Sequence, residues 1–134
     1  MKTKDRWTNS KTSVYNLAYH IIWCPKYRRK VLVDNVEKRL KELIHEKANE
    51  LKCKIETLEV MPDHVHIFIK TPPTLGVHFL VQQIKGSTAR KLRQEFHSLK
   101  TRLPNMWTRS YYVESVGHIS ENTVKKYIEE QKNK

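Results

Sequence analysis

The chain has 134 residues, with 26 Lys and Arg against 14 Asp and Glu, a formal charge of +12. That length suits one compact domain over residues 1–134, with residues 1–12 expected as a flexible N-terminal segment. The charge favours a polyanionic partner, because neutralised phosphates release counterions, and no apolar stretch is long enough to span a bilayer.

Further exclusions come from short segments. "MKTKDRWTNSKTS" lacks the apolar stretch of a secretory signal. No lipidation signal or long basic amphipathic helix suggests a membrane surface. Cys24 and Cys53 have no paired spacing, which suits buried free thiols in a reducing cytoplasm.

In chain order, residues 13–24, "SVYNLAYHIIWC", alternate Tyr15, Leu17, Tyr19, Ile21 and Trp23 against a mixed face, which predicts a strand. "PKYRRK" follows as a basic connection. Asp34 with Glu37 three residues on resembles a capping box. Val36, Leu40, Leu43, Ile44, Ala48 and Leu51 then form an apolar stripe at helical spacing. Residues 53–60 predict a second strand. Met61-Pro62-Asp63 is a tight connection to a third strand, 64–70, and so short a joint predicts an antiparallel hairpin.

After "TPPTLG" a second helix is predicted over about residues 76–99. Its stripe is Val77, Leu80, Val81, Ile84, Thr88, Leu92, Phe96 and Leu99. Gly86 is its interior weak point, at roughly 1 kcal/mol against Ala. Residues 107–116 predict a fourth strand. Ser120 caps a terminal helix, "ENTVKKYIEEQ". Strand, helix, strand, strand, helix, strand is two split βαβ units. The fold class is therefore α+β: a ferredoxin-like (RRM-like) antiparallel sheet, two helices on one face, and a C-terminal helix free to cover the other.

Two groups of residues stand out on this scaffold. A strand alternates its faces with a period of two. In "HVHIFIK", His64, His66 and Phe68 share one face, and Val65, Ile67 and Ile69 the other. The apolar set should pack under the two helices, which leaves the imidazoles on the opposite face. Solvated or hydrogen-bonded histidines are the plain account of such a pair; a metal site needs another donor. In the terminal helix, Tyr127 and Gln131 are four apart and share a face. Packing of the tyrosine on the sheet, with the glutamine solvated, is the plain account of that pair.

Three motifs together carry a resemblance: "PDHVH" at Pro62–His66, "CPKYRRKVL" at Cys24–Leu32, and a late helix with Tyr127 and Gln131. Over roughly residues 14–131 their order and spacing resemble the single-tyrosine HUH (His-hydrophobic-His) transposases of the smallest prokaryotic insertion sequences, the TnpA-like, IS200-type enzymes. The resemblance implies a cytoplasmic transposase that binds subterminal DNA hairpins and cuts and rejoins single-stranded DNA. Tyr127 would be the nucleophile, forming a 5′-phosphotyrosine. His64, His66 and Gln131 would hold Mg²⁺ or Mn²⁺. The protein would be a homodimer with active sites shared between protomers.

Arg28, Arg29, Lys30, Lys85, Arg90, Lys91 and Arg93 are the basic candidates for DNA contact; each could equally be solvated surface. Asp63 either orients a histidine or is simply a turn residue. His118 could be an alternative ligand or a proton shuttle, but the plain account is that it is neither, because the resemblance names Gln131. Trp107, Tyr111 and Tyr112 either stack bases or pack in the core. Replication initiators and relaxases share the histidine pair, usually on larger domains. The competing class is a non-catalytic single-stranded nucleic-acid-binding module of the same fold. The strands lack the aromatic motif of such readers, and that reading leaves His64, His66, Tyr127 and Gln131 unexplained together.

Overall fold

The computed structural model describes residues 8–9, 14–15, 17–115 and 121–134. Two short strands, β1 (Thr8–Asn9) and β2 (Val14–Tyr15), pair antiparallel with each other. The remaining strands are β3 (Ala18–Trp23), β4 (Lys54–Met61), β5 (His64–Lys70) and β6 (Tyr112–Ser115). They form one sheet in the order β4-β5-β3-β6, with every neighbour antiparallel. The helices are α1 (Asp34–Glu50), α2 (Val77–Glu95), α3 (His97–Arg102) and α4 (Glu121–Glu130). The architecture is α+β.

Alternation on β5 sorts its residues between two environments. Val65, Ile67 and Ile69 are fully buried, while His64, His66 and Phe68 are half-buried. The apolar set joins Leu40, Leu43, Ile44 and Ala48 of α1 and Leu80, Val81, Ile84 and Leu92 of α2 in one core. Burying each such side chain contributes about 1.5–3 kcal/mol. Val36 and Leu51 of the first predicted stripe and Val77 and Phe96 of the second are only partly buried against that core. Gly86 lies inside an unbroken α2 with open space around its Cα.

Four expectations need correction. The first sheet strand begins at Ala18, and Val14–Tyr15 pairs with Thr8–Asn9 instead of extending it. The capping box does not form: Val33 stands at the N-cap without a side-chain hydrogen bond, and Asp34 has a positive φ of 52°. The helix expected over 76–99 ends at Glu95. Phe96, at φ −123° and ψ 95°, separates it from α3, so Leu99 reaches the core from a second helix. The fourth strand starts at Tyr112, five residues later than expected, and runs to Ser115 among the described residues. Trp107 forms a single bridge to Pro25 and donates its indole N–H to the Lys85 carbonyl and Thr88 Oγ1. A tryptophan whose sequence context predicts a strand thus anchors a loop. The expected Ser120 cap lies outside the described residues, as do Gly117 and His118.

Candidate active site

The turn Pro62–Asp63 delivers two neighbouring groups to one end of the sheet. Asp63 Oδ1 lies 2.8 Å from His64 Nδ1. That contact fixes the ring and turns Nε2 away from the carboxylate. Burial raises the Asp63 carboxyl, but His64 and Arg28 outweigh it and hold the group below its usual value. Asp63 thus stays an anionic acceptor. His66 is pulled below its usual pKa, first by burial and then by neighbouring His20. It therefore favours the neutral, ligand-competent form. His20 Nδ1 lies 3.2 Å from His66 Nε2, and its ring stacks on Phe68 at 4.6 Å.

Strand register shows what shares this face. Glu59, His66, Ile22 and Tyr112 lie opposite one another across β4, β5, β3 and β6. Directly paired residues project to the same side of a sheet. The Tyr112 ring packs against that of Tyr127, with centroids 5.7 Å apart. Tyr127 therefore lies over the histidine face, two strands from His66.

The tyrosine is held by a small polar cluster. Ser110 Oγ donates to Gln131 Oε1 at 2.9 Å and lies 3.3 Å from Tyr127 Oη. Gln131, 1% exposed, donates through Nε2 to the Tyr127 carbonyl. Burial pushes the Tyr127 hydroxyl up to about 12, against a smaller downward pull from Ser110. Ser110 in turn rests on Lys85, whose amine donates to the carbonyls of Thr108, Arg109 and Ser110 at 2.7, 3.3 and 3.0 Å. Burial lowers that amine to about 8.

The expected residues thus fall into two groups on one face: His64 with His66, and Tyr127 with Gln131. Among the described residues, no three His, Cys, Asp or Glu side chains are disposed to hold a metal ion. A cation at the histidines would need Gln131, water or substrate phosphate to complete its shell. The imidazoles suit a divalent ion of borderline softness. Gln131 now uses its amide on Ser110 and the Tyr127 carbonyl.

The basic candidates separate by what they touch. Arg29, Lys30, Arg90 and Lys91 are exposed. Lys85 is spent on three carbonyls, and Arg93 donates to the Pro104 carbonyl. Arg28 bonds Asp63 and α4. Trp107 is buried, Tyr111 stacks on His78, and Tyr112 meets Tyr127. His20 and Ser110 were not picked out from the sequence as site residues. Both enter through cross-strand or cross-loop neighbours, which a single sequence does not display.

The fold is that of a tyrosine transposase. A REP-associated tyrosine transposase bound to a REP hairpin superposes with a TM-score of 0.58 over 90% of this chain and 67% of that one, at 13% identity. Residues 13–131 match the family described as "Transposase IS200 like". The chain is 38% identical to the ISDra2 transposase TnpA of Deinococcus radiodurans, over 90% of this chain and 88% of that protein. It is 31% identical to the transposase for insertion sequence element IS200 of Salmonella typhimurium, over 87% and 78%. A solved structure described as a transposase from Deinococcus radiodurans R1 superposes with a TM-score of 0.83 at 36% identity, over 92% of this chain and 97% of that one. The chain belongs to the IS200-like transposase family.

Proposed function

We propose that this transposase cleaves and rejoins single-stranded DNA at insertion-sequence ends through a 5′-phosphotyrosine on Tyr127, after binding subterminal hairpins. The observation that carries the reading is the placement of Tyr127 over the sheet face that bears His64 and His66. The four-strand order, with α1 and α2 packed on the opposite face, is what a ferredoxin-like sheet requires.

In the forward step, Tyr127 Oη forms a bond to phosphorus and the bond to the 3′ oxygen breaks. The phenolic proton departs and the 3′ oxygen leaves as a hydroxyl. Bond energy is kept in the ester, so a second 3′ hydroxyl can reverse the step on a new strand. A free tyrosine is only about one part in a thousand phenolate at pH 7. Burial makes the resting phenolate rarer still, which protects the site until substrate arrives. Ser110, donating to Gln131, offers a lone pair to the Tyr127 proton, and its hydroxyl can turn to support the phenolate.

His64, oriented by Asp63, and His66 would hold Mg²⁺ or Mn²⁺, with Gln131 as the further ligand the family resemblance implies. The ion would supply Lewis-acid polarisation of a phosphoryl oxygen. Exposed Arg29, Lys30, Arg90 and Lys91 are the best placed of the basic candidates for DNA phosphates. A homodimer with shared sites completes the reading.

The test is a denaturing gel after incubation with single-stranded element-end DNA and Mg²⁺ or Mn²⁺. A covalent protein–DNA band is expected for the native protein and none for Tyr127→Phe. An undiminished band in Tyr127→Phe overturns the nucleophile. Hairpin binding with no band in the native protein favours the non-catalytic binding module.

A further inference from the structure

Arg28 is the one described side chain whose hydrogen bonds reach both the histidine turn and the tyrosine helix. Its Nε donates to Asp63 Oδ2 at 2.9 Å, on the carboxylate whose other oxygen meets His64. Its Nη1 donates to the Ile128 carbonyl at 3.3 Å and to Glu129 Oε2 at 3.0 Å. We infer that Arg28 is the clasp that positions the tyrosine helix relative to the histidine pair, and is not a DNA contact.

Three further observations support this role. The Ile128 carbonyl lies in the last turn of α4, where carbonyls lack helical partners and attract a cation. The arginine is withdrawn from solvent, at 16% side-chain exposure, as is Asp63 at 15%. A side chain that served the phosphate backbone would gain nothing from being spent on two internal acceptors. Finally, the backbone is specialised to deliver it: Tyr27 and Arg28 are consecutive residues with φ of 58° and 51°. Such left-handed positions are uncommon without glycine and persist where surrounding contacts dictate them. Here Lys26 N–H bonds the Met106 carbonyl, and Leu32 N–H bonds the Pro62 carbonyl at 3.0 Å. The basic loop and the Asp63 turn are thereby fixed to each other before the side chain adds the helix.

The planar guanidinium matters more than its charge. One rigid fork spans Asp63 and the helix end together, which a single ammonium cannot reproduce. The substitutions Arg28→Ala and Arg28→Lys separate the two roles. A phosphate contact is largely kept by lysine; a clasp is lost in both.

The inference rests on the proposed strand-transfer chemistry for its consequence, but not for its geometry. Hydrogen exchange on the full chain reads the geometry directly. Amides of residues 126–131 should exchange roughly tenfold faster or more in both variants, while those of β5 stay unchanged. Adduct formation should fall roughly tenfold to hundredfold in both, with hairpin affinity and its salt dependence unaltered. Native-like exchange at 126–131 in Arg28→Ala overturns the clasp. So does an Arg28→Lys variant that behaves as the native protein, or a loss of hairpin affinity with a shallower salt slope. If the native protein forms no adduct, the chemistry fails, and the exchange measurement still decides the clasp.

Discussion

In the proposed reaction, His64 and Tyr127 take two tasks that one residue could not serve. As a ligand the imidazole would need a fixed lone pair, and the Asp63 carboxylate beside Nδ1 would hold the ring for it. His64→Ala should abolish adduct formation yet leave hairpin affinity nearly native, because basic side chains supply the affinity. Gel shifts run beside the cleavage assay would check this, and an equal loss of both would make the histidine a DNA contact. Tyr127 carries a pH signature. Its folded pKa, near 12, exceeds that of a free tyrosine. The neutral phenol therefore contributes stability that is fully present below about pH 10 and is lost as pH rises through about 12. In an ultraviolet absorbance titration, the component missing from Tyr127→Phe should ionise near pH 12. Ser110→Ala should move that component higher still, since it removes the one neighbour that pulls the pKa down. A component titrating at the free-tyrosine value would mean that the hydroxyl is not buried.

At the scale of elements, legibility followed periodicity. β5 and both long helices repeat apolar residues at their own periods, so their buried faces were readable from Val65, Ile67 and Ile69 and from the stripes of α1 and α2. Elements decided by distant partners were not. Trp107 and Tyr111 resemble strand residues, yet residues 107–111 form a loop whose carbonyls at Thr108, Arg109 and Ser110 close over Lys85. Phe96 fits the α2 stripe, but its extended conformation ends the helix. The histidine face was legible from alternation alone, whereas His20 reaches it only through the pairing of β3 with β5. The loop gives its own prediction. Lys85→Met removes a half-buried ammonium that three carbonyls share, and should destabilise the fold by about 1–3 kcal/mol in urea unfolding. It should also slow adduct formation by loosening Ser110, with hairpin affinity unchanged. A weakened affinity with native stability would return Lys85 to the DNA surface.

For the whole molecule, the proposed homodimer raises the question of which chain's helix serves which histidine pair. α4 docks on its own chain through Arg28 and Ser110. Among the described residues, its contacts with the rest of the chain come from Tyr127, Ile128 and Glu129. A helix held through such side-chain contacts could make them on a second copy, and such exchange is a low-cost route to a two-fold dimer. Shared sites, as the family resemblance implies, would leave every contact described here intact while changing the chain that supplies it. Mixing two inactive variants resolves the matter. His64→Ala keeps its tyrosine, and Tyr127→Phe keeps its histidines. Each alone should form no adduct. In a mixed dimer with exchanged helices, one site joins intact histidines from one chain to intact Tyr127 from the other. Cleavage should then return to roughly a quarter of native: half the dimers in an equimolar random mixture are mixed, each with one of two sites complete. The covalent DNA should sit on the His64→Ala chain, identified by a size tag. If each helix serves its own sheet, both sites stay broken, and a mixture proven to contain heterodimers remains silent.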